Sequence, residues 1–173
     1  MTSLIASYGV AICLRHAASL GSPVVVNGGT LSMVALVSES GVLAGTCDQS
    51  IGSLAGTGGA VNIDSGTVGK ANTSTSYAGA VTGANGSIRK VGAGTLTLSG
   101  DLTYTGVTMV EGGTLALANT NSVATFAATV IAGTLQLTPL KTRVLDVDIA
   151  SVFAGAKLDV TDNKLIVRSG SVG

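Results

Sequence analysis

One eight-residue pattern recurs five times along the chain: an apolar residue, two spacers, a small residue, Thr, Leu, any residue and a second apolar residue. It reads Val26-Asn27-Gly28-Gly29-Thr30-Leu31-Ser32-Met33, then Val91-Gly92-Ala93-Gly94-Thr95-Leu96-Thr97-Leu98, then Val110-Glu111-Gly112-Gly113-Thr114-Leu115-Ala116-Leu117. The fourth copy is Val130-Ile131-Ala132-Gly133-Thr134-Leu135-Gln136-Leu137, and a degenerate fifth, Phe153-Ala154-Gly155-Ala156-Lys157-Leu158-Asp159-Val160, keeps the apolar positions and loses the Thr. Apolar residues two apart point to one side of a strand and the residue between them to the other. Each copy is therefore a half-buried strand, entered through a glycine corner that ends the strand before it. Thr95, Thr114 and Thr134 lie 19 and 20 residues apart, one turn of a β-solenoid, and Thr30 to Thr95 is 65 residues, close to three such turns. Stacked coils put Leu on Leu and Thr on Thr at about 4.8 Å. The spacing predicts roughly seven to eight coils and a rod of roughly 35 Å by the same spacing.

Composition agrees with this reading and removes its rivals. Apolar residues make up 46% of the chain and aromatic ones only 3%, so the core is built from Val, Leu, Ile and Ala. The 25 glycines exclude a helical fold beyond the first twenty residues. Antiparallel hairpins call for tight Asn-Gly turns, and there are two such steps, Asn27-Gly28 and Asn85-Gly86. Nine Lys and Arg balance nine Asp and Glu, and the longest basic run is the pair Arg89 and Lys90, so nucleic acid is excluded as a partner. Near-neutral charge and an unshielded sheet edge favour self-association.

The chain divides into residues 1–21, 22–168 and 169–173. The apolar run from Leu4 to Leu14 is too short to span a membrane. It reads as a residual signal-like segment, although Met1-Thr2-Ser3 holds no cation, or as a short helix over residues 3–20. That helix has Thr2 or Ser3 as N-cap, Leu4, Tyr8, Ala11 and Ile12 on one face, and Gly21 and Pro23 as its stop. It would cap the first coil, whose strands otherwise present unpaired backbone. Residues 22–168 form the solenoid, and residues 169–173 a frayed tail beyond an open last coil, as in a truncated fragment. Cys13 and Cys47 lack the spacing of a metal site and read as two idle thiols or a disulfide.

Around the second copy, Ile88-Arg89-Lys90-Val91-Gly92-Ala93-Gly94-Thr95-Leu96-Thr97-Leu98-Ser99-Gly100 and Tyr104-Thr105-Gly106 resemble the autotransporter-associated β-strand repeat. That repeat reads K-x-G-x-G-T-L-x-L-S-G, N-T-Y-T-G-x-T and G-T-L-x-L, and residues 90–117 follow it with Leu102 in place of Asn and Val107 in place of Gly. Flanking segments, among them Ile51 to Gly56 and Gly155 to Val167, resemble neighbouring coils of such proteins, so the likeness covers residues 24–168, with the repeat itself at 88–137. The resemblance implies an all-β, right-handed, single-stranded parallel β-helix that is exported to the bacterial outer surface or beyond. It also implies the role of a passenger or stalk in adhesion or surface display, with the rest of a longer polypeptide or cell-surface components as partners.

The chemistry-bearing residues suggest no enzyme, cofactor or metal. The best acidic pair is Asp146 and Asp148, two apart and thus outside on one strand, with Arg143 and Lys141 nearby as a small charged patch. Asp159, Asp162 and Asn163 carry oxygens of the kind calcium takes, without the glycine-containing loop of an EF-hand. His16, the single histidine, falls in the N-terminal segment away from any nucleophile elbow. Gly92-Ala93-Gly94 and Gly56-Thr57-Gly58-Gly59 lack a following Gly-Lys-Ser or Gly-Lys-Thr and are corners, not phosphate loops. Sugar stacking would fall to Tyr8, Tyr77, Tyr104, Phe126 or Phe153. The alternative to a stalk is a carbohydrate-binding or carbohydrate-active β-helix of the polysaccharide lyase kind, which needs a cleft with clustered acids and bases. Self-association through the open C-terminal coil is a further expectation.

Overall fold

The computed structural model describes residues 4–6, 10–11, 19–33 and 49–169. Their strands are β1 Leu4–Ala6, β2 Val10–Ala11, β3 Ser19–Val26, β4 Thr30–Met33, β5 Gln49–Ala55, β6 Ala60–Ile63, β7 Ser65–Val68, β8 Thr75–Tyr77 and β9 Ala80–Thr82. They continue as β10 Ser87–Lys90, β11 Thr95–Leu98, β12 Val107–Val110, β13 Thr114–Leu117, β14 Val123–Val130, β15 Thr134–Leu137, β16 Val144–Val152, β17 Lys157–Asp159 and β18 Lys164–Val167. They stack in three sheets, ordered β1-β3-β5-β7-β10-β12-β14-β16-β18, β17-β15-β13-β11-β8 and β2-β4-β6-β9. Consecutive strands β7, β8 and β9 each belong to a different sheet, so one coil has three sides. In the next coil the third side shrinks to Leu102, which bridges Val81 in parallel. Every strand pair among the described residues that touches the repeat is parallel, including β10 with β12, β11 with β13 and β13 with β15. The fold is a β-solenoid with a nine-stranded stack along its length, close to the coil count expected from the repeat.

The pairing register is the one the leucine spacing predicts. Leu96 pairs with Leu115 and Leu115 with Leu135, at 1%, 0% and 0% exposure. Leu98, Leu117 and Leu137 form a second buried column, begun one coil earlier by Tyr77. Burying one such leucine contributes about 1.5–3 kcal/mol, and each side chain also seals the one beneath it. The degenerate fifth copy keeps step, with Leu158 on Leu135 and Asp159 on Gln136. The first copy does not share this column. Thr30–Met33 pairs with Ala60–Ile63 in the four-stranded sheet, on a different side of the coil. The motif encodes a glycine corner followed by two inward apolar side chains, and two sides of the solenoid accept that pattern.

Glycine enters the corners for two separate reasons. Gly133, before Thr134, has φ +84°, and a Cβ there would collide with the carbonyl oxygen of Gly113 in the preceding coil. One coil on, Ala156 takes the register position of Gly133, and Gly155 beside it has φ +81°, where a Cβ would meet nothing within 4 Å.

Two cations lie inside the solenoid. Lys90 follows Val68 and precedes Val110 and Val130 in one inward column, and it is 1% exposed. Its stem occupies the place of a valine, and its Nζ donates to the carbonyls of Val91 (2.7 Å), Gly92 (2.9 Å) and Gly112 (3.2 Å). Desolvation holds its pKa below the ordinary lysine value, while the three carbonyls keep the ammonium bonded. Arg143, also 1% exposed, donates through Nη1 to the carbonyls of Leu117 (2.9 Å) and Asn119 (2.8 Å) and through Nη2 to that of Thr138. Each cation adds a donor to corner carbonyls that face inward, and the Leu117 carbonyl also accepts from the Thr138 N–H of the next coil.

The helix expected over residues 3–20 is corrected by the strands found there. Leu4–Ala6 pairs with Val24–Val26, and Val10–Ala11 pairs with Leu31–Ser32, so the described part of this segment is one more coil. A helix lying on the stack would leave the edges of β3 and β4 unpaired, whereas an added strand satisfies them. The other residues of that segment, with Cys13 and His16, lie outside the described residues, as do Cys47 and residues 170–173. Coil-to-coil bonding runs through Arg168 and Ser169, whose N–H groups donate to Val147 and Asp148 at 2.9 Å each.

Leu115→Ala should lower stability by about 3 kcal/mol in denaturant unfolding, and Leu115→Asp should abolish the cooperative transition because it buries a charge between two coils. Gly155→Ala meets only backbone strain, about 1 kcal/mol, and Gly133→Ala should lose clearly more. Equal losses at the two glycines would show that inter-coil contact is not what excludes Cβ from the corner. Arg143→Met leaves the inward Asn119 carbonyl without its donor and should cost about 1–3 kcal/mol.

Candidate functional site

The outer surface where the third side of the coil turns into the first holds a groove with both an exposed aromatic ring and carboxylates. Strands β14 and β16 cross this corner without a break. Val123–Thr125 pairs with Leu145–Val147, and Ala127–Val130 with Ile149–Val152, which leaves Phe126 beside Asp148 at the bend. Leu145 and Val147 are buried, so Asp146 and Asp148 point outward, as their spacing predicts. Below Phe126 the same corner position is held by Thr105, whose carbonyl accepts from the Phe126 N–H at 2.8 Å. One coil lower is Asn85, whose N–H donates to Thr105 Oγ1 at 2.9 Å. The groove has a volume of about 360 Å³ and is lined by Asn85, Thr105, Ala124, Thr125, Phe126, Asp146, Asp148 and Arg168. It runs along the solenoid axis past Phe126, which is 53% exposed.

Arg168 supplies the cation of this groove. Its Nε donates to Asp146 Oδ1 at 2.8 Å and its Nη2 to Asp146 Oδ2, a two-pronged pair. This bond holds the Asp146 carboxyl below the usual carboxylate range, and Asp146 in turn raises the guanidinium. A carboxylate so held stays ionised at neutral pH and is a poor general acid. Asp148 adds to the field that stabilises Arg168, and among the described residues its carboxylate oxygens have no hydrogen-bond partner. The expected companions of the pair lie elsewhere: Arg143 is turned into the core, and the charge of Lys141 acts on Asp162. Arg168, read from sequence as the start of a frayed end, is tied in. The signal that finds it is its separation of 22 residues from Asp146, one coil period, which recurs in Arg89 with Glu111 (2.5 Å).

The oxygens of the calcium-like cluster are taken by nearby donors. Asp162 Oδ1 accepts from the N–H groups of Leu140 (3.0 Å) and Lys141 (3.3 Å). Partial desolvation pushes this carboxyl up, and the backbone donors outweigh it, leaving the pKa low. Asp159 accepts from Lys157 Nζ (2.8 Å) and the Thr161 N–H (3.0 Å). The side-chain amide of Asn163 donates to the carbonyls of Thr138 (3.0 Å) and Val160 (3.1 Å). The three close a corner. Among the described residues no group of three or more His, Cys, Asp or Glu is placed to hold a metal ion. Of the aromatic candidates, Tyr77 and Tyr104 are buried, and desolvation pushes both phenols up to about 12. Phe126 and Phe153 are exposed, and Tyr8 lies outside the described residues.

No helix among the described residues is long and apolar enough to cross a membrane. No curated protein and no solved structure matches the chain. A family match falls on the stretch where the leucine columns are most regular, β10 through β13, and the fourth copy in β15 repeats its geometry one coil on. Residues 88–117 match the family described as the passenger-associated-transport-repeat, and this part of the solenoid is similar to such a repeat.

Proposed function

We propose that the chain is a rigid, non-enzymatic passenger or stalk segment of a secreted or cell-surface bacterial protein, and that it serves adhesion or surface display. The observation that carries this reading is a passenger-associated-transport-repeat in the middle of an unbroken stack of parallel coils. Such a stack spaces its two ends at a fixed distance, because each coil is bonded only to its neighbours and adds a constant rise of about 4.8 Å. Its partners are the rest of a longer polypeptide or components of the surface. Among the described residues β17 and β18 are each paired on one side only, and a following coil or a second copy of the chain would add there. The non-enzymatic part is supported by the state of the acids: Asp146, Asp159 and Asp162 are engaged by Arg168, Lys157 and backbone N–H groups, with their pKa values lowered.

Intact cells making the full-length protein should lose this segment to added protease without lysis, as followed by an antibody against the solenoid. Protection until the cells are broken would overturn the surface reading. The purified chain should turn over no acidic polysaccharide, and alanine at Asp146, Asp148, Asp159 or Asp162 should change nothing in such an assay. Turnover abolished by one of these substitutions would replace the stalk with an enzyme.

A further inference from the structure

We infer that the axial groove at Phe126 is a binding site for an uncharged, unbranched oligosaccharide, a recognition function beyond the stalk role proposed above. The groove unites the two kinds of surface a sugar ring presents. The exposed face of Phe126 offers a flat apolar platform for the C–H face of a pyranose. Around it stand hydrogen-bonding groups suited to hydroxyls: the Asp148 carboxylate accepts, the Asn85 amide donates and accepts, and Thr105 Oγ1, which accepts from the Asn85 N–H, retains its hydrogen to donate. Ala124, two residues before Phe126 on the same strand, lines the groove with a side chain too small to fill it. Of the exposed large apolar side chains, Phe126 is the one that lines this groove together with carboxylates and hydroxyls.

The groove's length selects a chain of sugars. Asn85, Thr105, Phe126, Asp148 and Arg168 occupy successive coils, four steps of about 4.8 Å each, so the polar groups are strung along the axis over about 19 Å. Charge selects an uncharged chain. Two carboxylates and one guanidinium line the groove, and Arg168 is already spent on Asp146, so the unneutralised group is the anionic Asp148. An acidic polysaccharide or a nucleic acid would be repelled. An extended peptide is disfavoured for another reason: it docks by pairing its backbone to a free strand edge, and the N–H groups along this corner, those of Phe126, Arg168 and Ser169 among them, are consumed by neighbouring coils.

The chain contains no tryptophan, so Phe126→Trp places a single fluorophore at the site while keeping the platform. The purified full chain carrying this substitution would be titrated with hexamers of β-1,4-glucose, α-1,4-glucose, β-1,4-mannose and β-1,4-N-acetylglucosamine, and with hexagalacturonate. Calorimetry would be run on the unsubstituted chain in parallel. At least one neutral hexamer should give a saturable emission change and the same preference by calorimetry. Phe126→Ala should weaken that binding at least tenfold and Asp148→Asn severalfold, with the thermal midpoint of both unchanged because the two side chains face outward. Absence of saturable binding to every neutral hexamer at millimolar concentration would overturn the inference. So would binding that survives Phe126→Ala, or tighter binding of hexagalacturonate than of any neutral hexamer.

Discussion

Backbone hydrogen bonds between coils run along the axis, and they hold only if each inward side chain lands on a partner of compatible size about 4.8 Å away. The columns of Leu96 with Leu115 and Leu135, and of Leu98 with Leu117 and Leu137, meet this requirement on one side of the coil. A slip of one residue would turn every one of them out to solvent. Because corners must return the chain to the same register each time, coil length varies only through loops that leave the inward columns intact. Aromatic residues are scarce for the same reason: a ring in one coil needs space in the next, and Tyr77 and Tyr104 are the two tyrosines the described core holds.

Corners are where this economy is strained. A strand pairs its carbonyls with the next coil, but a turning backbone aims some of them inward, where water does not reach. Lys90 and Arg143 answer that need from opposite ends of the repeat region, each with a long apolar stem packed in the core and a charged head shared among carbonyls. A buried cation with no carboxylate among its bonded partners is costly in isolation, and here the Lys90 ammonium and both terminal nitrogens of Arg143 are set against carbonyls. Lys90 stands where the repeat that this stretch resembles carries a lysine, and in this chain it closes the corner from within.

On the outside, the coil period orders charge as it orders leucines within. Arg89 with Glu111 and Arg168 with Asp146 are separated by one coil and form two-pronged pairs across the edge between coils. Exposed pairs of this kind contribute little to stability. Their effect on the groove is positional: with Asp146 neutralised, Asp148 and the ring of Phe126 set its character.

The sequence by itself determined the parallel β-solenoid, the inward leucines of three successive coils, the outward placement of Asp146 and Asp148, and the repeat centred on residues 88–117. Those features repeat at two residues within a strand and at about twenty between coils, and period is what a sequence displays directly. Only the tertiary structure decided that Thr30–Met33 lies on a different side from the other copies, that the described residues before Ser19 are strands, that Lys90 and Arg143 are core residues, and that Arg168 joins Asp146 beside Phe126. Each of these depends on how many residues a loop spends before the next side begins, and on which unpaired backbone group lies within a side chain's reach. Neither quantity is periodic, so neither is visible until the coils are stacked.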